Sequence, residues 1–242
     1  MSRCGRAKFI FNEIREAFRT KELFRTWIFF IIMGLIPQFK EYMYFYQIDV
    51  VGFSNSEYAY LQIFAFCGIF VGSFIYRMVS KCVELRTMVV ISILMNLTGS
   101  LGQMFFCRGF YFGLKPFPYI SIVMLSSEAV FFAFEVISAM TIFAKLIPPK
   151  IESSMFALVT GVLNLSYWFL ARVLGNVVNR FFGVSKENLE DLWKLFLVQA
   201  IVAVIPLVFI WLLPNREEVA AVQLIINQKT EEENKDNENT GK

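Results

Sequence analysis

Residues 128–172 read EAVFFAFEVISAMTIFAKLIPPKIESSMFALVTGVLNLSYWFLAR. Two carboxylates, Glu128 and Glu135, stand in an otherwise apolar run, and a short polar hinge, KLIPPKIE at 145–152, follows it. A second apolar run then carries Ala157, Gly161, Asn164 and Arg172. The flanking sequence offers little polar face that would turn these groups to water. The pattern predicts two membrane helices joined by a tight cytoplasmic turn, with their ionisable groups kept inside the protein.

Composition points the same way. The chain is 57% hydrophobic and only 18% charged, against about 45–50% and about 25% in soluble domains. A net charge of +3, with its basic residues at segment ends, excludes a nucleic-acid-binding face. The absence of histidine removes Ser-His and Cys-His catalysis and His-ligated metal sites. The four cysteines, Cys4, Cys67, Cys82 and Cys107, show no CxxC spacing. Neither a metal site nor a cofactor is expected, and the chain does not read as an enzyme.

Working outward, six apolar stretches appear, at 26–48, 57–79, 87–107, 117–147, 154–180 and 192–213. Each reaches the ~20 residues needed to cross a bilayer as a helix. Barrel strands would be shorter and would alternate in polarity. The expected fold is therefore an all-α integral membrane protein with a six-transmembrane-helix bundle over 26–213. Residues 1–25 are basic and amphipathic and read as an interfacial or cytoplasmic segment. The tail, 214–242, is polar and charged and reads as mostly disordered. Lys and Arg crowd the N-terminal segment and the loops after the second and fourth stretches, so both termini are expected in the cytoplasm.

Small residues mark close packing. Gly68 and Gly72 form a GxxxG, Ala157 and Gly161, then Ala171 and Gly175, repeat at i,i+4, and Ser92, Asn96 and Ser100 share a stripe. Ordinary packing within the bundle is the expected use.

Depth decides which polar groups matter. Glu128 lies about 16 Å from the outer end of its stretch and Glu135 about 18 Å from the inner end, so neither snorkels to water. Seven residues is nearly two turns, which puts both on one face. They read as a cavity-lining pair for a cation or a proton, against the blander reading of buried acids hydrogen-bonded to Ser or Asn. In the first stretch, PQFKEY at 37–42 places Lys40 and Glu41 about 21 Å in, beyond Pro37, which kinks a helix. Glu41 reads as the cavity residue, and Lys40 reads either as a second one or as a snorkelling cation. Arg172, near the outer boundary, is either interfacial or a clamp for an anionic solute. Asn164 sits nearer mid-depth as a hydrogen-bonding group.

The order of these features resembles the C-terminal half of the folate–biopterin transporter family, within the major facilitator superfamily. The resemblance rests on AKLIPPKIESSMFALVTGVLNL at 144–165, with PQFKEYMYFYQIDVVGFSNSEYAYLQ at 37–62, GIFVGSFIYR at 68–77 and VIPLVFIWLLPNREE at 204–218. It implies a carrier of folate- or pterin-type organic solutes, built as two six-helix bundles with the solute between them. This chain has six apolar stretches where the family pattern has twelve. The resemblance therefore implies a half-transporter, with lipid, a small organic solute and a second six-helix bundle, another copy or a separate half, as its partners. The alternatives are a non-transporting membrane subunit and a fragment of a twelve-helix carrier.

Overall fold

The computed structural model describes residues 19–109 and 118–240, together with Arg15. The interfacial segment expected over 1–25 therefore falls largely outside the described residues. Among them all regular secondary structure is helical.

The first apolar stretch is not one helix. Helix α1 (Lys21–Gly34) stops, residues 35–39 run irregularly, and α2 (Lys40–Phe45) resumes, closing in a π-helical turn at Tyr46–Val50. Pro37 explains the break. It has no amide to donate, and its ring disfavours helical geometry at Ile36.

Helices α3 (Asn55–Val79), α4 (Leu85–Cys107) and α5 (Pro118–Leu146) are each long and continuous. A reciprocal pair starts α3: the Glu57 amide donates to Ser54 Oγ while Glu57 Oε2 accepts from the Ser54 amide at 2.7 Å. The double-proline hinge becomes a short turn at Pro149–Ile151. Helix α6 (Glu152–Asn164) follows, passes through a π-helical turn at Leu165–Leu170, and continues as α7 (Ala171–Asn179). Gly183, at φ 66°, then turns the chain, in a conformation that L side chains avoid.

Helix α8 (Leu192–Ala203) meets α9 (Ile205–Val208) at Pro206, and a turn at Ile210–Leu212 leads to α10 (Arg216–Thr240). Among the described residues four helices are long and apolar enough to cross a membrane, and a fifth counts if the pair around residue 209, bent by 41°, is one span. The expected first span differs because its two halves are separated by the break at 35–39.

Among the described residues three apolar clusters hold the bundle. The largest joins α1, α5 and α6: Phe30, Ile142, Phe143, Met155 and Val159 are all buried, and Trp27 and Phe143 meet edge-on at 5.7 Å. A second joins α2 to α4 and α8 through Phe39, Phe106 and Phe196. The third sets Tyr76 of α3 against Phe134 of α5. The GxxxG works as expected, because a Cβ on Gly72 would stand 2.9 Å from Val130 Cα of α5. Gly161 does not, since nothing lies within 4 Å of its Cβ position.

The polar tail also differs from the disorder expected of it. Asn215 Oδ1 accepts from the Glu218 amide and Glu218 Oε2 accepts from the Asn215 amide, both at 2.8 Å, so the tail begins with a capped helix. Val219 and Val222 of α10 are buried, and Glu218 binds Arg25 of α1 at 2.9 Å. The N-x-x-E signal at 215–218 was present in the sequence, but the charged composition beyond it masked it.

Candidate functional site: a polar cavity inside the bundle

Two irregular segments face each other and set the site. The Gln38 amide, in the break before α2, donates to the Ala171 carbonyl at 3.2 Å. A Cβ on Gly175 would stand 2.4 Å from Gln38 O, and one on Gly34 would stand 2.5 Å from Ser166 Cβ. Both glycines are therefore required by close approach. The π-helical turn at 165–170 lies against this junction. Its wider turn brings the consecutive residues Tyr167 and Trp168 both onto the cavity wall.

The cavity holds about 430 Å³. Lys40 and Tyr44 of α2, Tyr58 and Gln62 of α3, and Asn96, Ser100 and Gln103 of α4 line it. Glu128 and Glu135 of α5 form the facing wall, with Gln199 of α8 beyond. The two acids thus share one face, as their spacing predicts.

Their surroundings differ. Glu128 Oε1 accepts from Gln103 Nε2. Glu135 is only 6% exposed and stands beside Tyr167 and Asn96. Its Oε1 and the Tyr167 hydroxyl are both buried with no well-formed hydrogen bond, as is Ser138 Oγ one turn along α5. A buried carboxylate oxygen without a donor costs several kcal/mol unless it is neutralised or given a cation, about 1–3 kcal/mol even for an uncharged group. Lys40 supplies charge close enough to act on both acids. Its Nζ lies 5.2 Å from the centre of the Trp168 ring.

The other expected residues lie elsewhere. Glu41 does not line the cavity; it is exposed and pairs with Arg172 at 3.4 Å. The exchange of Lys40 for Glu41 has a simple cause. The break at 35–39 resets the helical phase, so a face drawn through Pro37 no longer applies. Arg172 and Asn164 are exposed and outside the cavity lining, on the helix face that also carries Ala157, Gly161 and Trp168. Asn96 and Ser100, read as packing residues, line the cavity instead. Gln62, Gln103, Gln199, Tyr58 and Tyr167 were missed. An isolated amide or phenol in an apolar stretch is weaker sequence evidence than an acid. Among the described residues, no group of three or more Cys, Asp or Glu side chains is placed to hold a metal ion.

Long apolar helices around a cavity walled by amides, phenols and two acids define a multi-pass integral membrane protein with a polar interior. The chain belongs to the BT1 family, the folate–biopterin transporter family, whose pattern it matches over residues 2–236. This is a family of membrane carriers rather than enzymes. The chain is similar to a probable folate-biopterin transporter 4 of Arabidopsis thaliana, 22% identical over 207 residues, which cover 83% of this chain and 41% of that protein. A folate-biopterin transporter of Synechocystis sp. is 34% identical over 71 residues, 29% of this chain and 14% of that protein. The chain thus spans less than half the length of these relatives. No solved structure matches it.

Proposed function

We propose that this chain forms one wall of the solute pathway of a secondary carrier for folate- or pterin-type organic solutes. The observation that carries the reading is Glu135, an acid buried on the cavity wall between long apolar helices and flanked by Tyr167 and Asn96. An acid kept in a membrane interior marks an ion, proton or substrate path by default. Glu135 takes up and releases a proton, or balances a cation, as access to the cavity alternates, and this couples solute movement to an ion. The broken first helix beside the cavity supports the same reading, since discontinuous helices line the sites of many secondary transporters.

In this reading the chain crosses the membrane six times. The stretch 21–50 is one broken span and 192–213 is another. Both termini lie in the cytoplasm, on the side of the Lys- and Arg-rich loops. The exposed face with Asn164 and the Glu41–Arg172 pair would be costly against lipid. It meets a second six-helix bundle, another copy or a separate half.

Replacing Glu135 by Gln tests the role. Glu135→Gln keeps the shape and some hydrogen bonding and removes the titratable charge. Insertion and expression are expected to stay intact while concentrative uptake of a pterin or folate by the assembled carrier is lost. Wild-type uptake with unchanged pH dependence in the Gln variant, with misfolding only in Glu135→Ala, would instead show a structural role.

A further inference from the structure

Lys40 is the one cationic side chain among the described residues that line the cavity. A lone lysine among two glutamates would ordinarily be assigned as their counter-ion. The geometry does not support that. Among the described residues no carboxylate lies within ion-pair distance of Lys40 Nζ. The acids are given other company: Gln103 holds Glu128, while Tyr167 and Asn96 flank Glu135. The ammonium instead lies over the face of Trp168, itself 45% exposed, on a lysine that is also exposed. A cation–π seat of this kind holds an ammonium weakly where it remains wet. A charge-assisted hydrogen bond to a carboxylate inside the cavity holds it more strongly.

From this arrangement we propose that Lys40 is the anion-binding residue of the cavity, and that it takes a single carboxylate of an aromatic solute. The inference rests on the carrier reading above and assigns a residue to one end of its substrate. The charge balance selects the class. Lys40 carries one positive charge with two glutamates across the cavity, so it seats one carboxylate group, and a phosphate dianion, which concentrates two charges at that point, fits less well. A lysine is a point charge that takes one oxygen, without the paired fork by which arginine grips phosphate. The ring of the solute finds aromatic neighbours on the cavity wall in Tyr44 and Tyr58, which meet each other edge-on at 4.8 Å, and in Trp168 once the ammonium moves off it.

The test uses the full chain in lipid nanodiscs, with binding followed by tryptophan fluorescence and confirmed by calorimetry. Two matched pairs of probes are compared: pterin-6-carboxylate with 6-hydroxymethylpterin, and 4-hydroxybenzoate with 4-hydroxybenzamide. Lys40→Met is expected to weaken the carboxylates about tenfold or more and to leave the neutral partners within about twofold, while Lys40→Arg keeps most of the preference. Equal losses for charged and neutral probes would mean that Lys40 only shapes the cavity, and would overturn the assignment. So would unchanged binding of the carboxylates. If the pterins fail to bind wild type but the benzoate shows the Lys40-dependent preference, the pterin reading falls and the anion site stands. If neither pair binds, both fall.

Discussion

The Gln38 amide donates to the Ala171 carbonyl at 3.2 Å, joining the break in the first apolar stretch to the helix that follows the π-helical turn. This main-chain bond fixes Lys40, two residues later, and Tyr167 and Trp168, just before Ala171, on the same cavity. The contact leaves no room for a side chain at Gly175.

Gly175→Ala is therefore expected to destabilise the protein. Its methyl would meet Gln38 O at 2.4 Å, a backbone atom that cannot swing away. Overpacking of this kind costs about 1–3 kcal/mol. Gly161→Ala, with nothing within 4 Å of its new methyl, serves as the control. Thermal unfolding in mild detergent compares the two, and a Gly175→Ala protein as stable as Gly161→Ala would contradict the close approach.

Gln103 and Glu128 should behave as a coupled pair. Gln103→Leu removes the donor and leaves a cavity carboxylate less satisfied, a loss of about 1–3 kcal/mol. Glu128→Leu in the same chain removes the need for that donor, so the double variant should be more stable than the sum of the single losses implies. A double-mutant cycle on unfolding free energies measures this. Strict additivity would mean that the bond contributes nothing.

The terminal helix α10 should loosen in acid. The Asn215 amide and the Arg25 guanidinium hold the Glu218 carboxyl below its ordinary range. A depressed acid stabilises the folded form above its unfolded pKa of about 4.3, and the gain fades as pH falls through the folded value. Glu218 is partly exposed, its side chain 36% accessible, so solvent screening limits the Arg25 pair to less than about 1 kcal/mol. A spin label at Gln228 is expected to become more mobile as pH falls from the unfolded pKa of about 4.3 down through the lower folded value. Glu218→Gln should be looser at neutral pH and insensitive to that acidification. Equal acid response in both proteins would assign the loosening to other groups.

Membrane disposition and assembly give two further readouts. Tags at Met1 and Lys242 should survive protease added outside sealed, right-side-out vesicles, as the Lys and Arg distribution requires. Loss of either tag would reverse the proposed orientation. Mass measurement in mild detergent should find a second bundle with the chain, and a well-folded lone monomer would count against the pairing.

What the sequence determined by itself is local. The lengths of the apolar stretches, the break at Pro37, the common face of Glu128 and Glu135 and the tight packing at Gly72 follow from helix geometry over a few turns. The family was legible too, because its motifs are runs of neighbouring residues. The tertiary structure decided the rest. Lys40 and Glu41 are adjacent, and only the angle at which the chain resumes after the break sends one into the cavity and the other to Arg172. Tyr167 and Trp168 both reach the wall because a π-helical turn there docks on Gly34, a long-range fit that the 3.6-residue period does not encode. Gln103 becomes a partner of Glu128 only when α4 and α5 lie side by side. A periodic pattern says which residues of one helix share a face, whereas the company that face keeps is set by other helices.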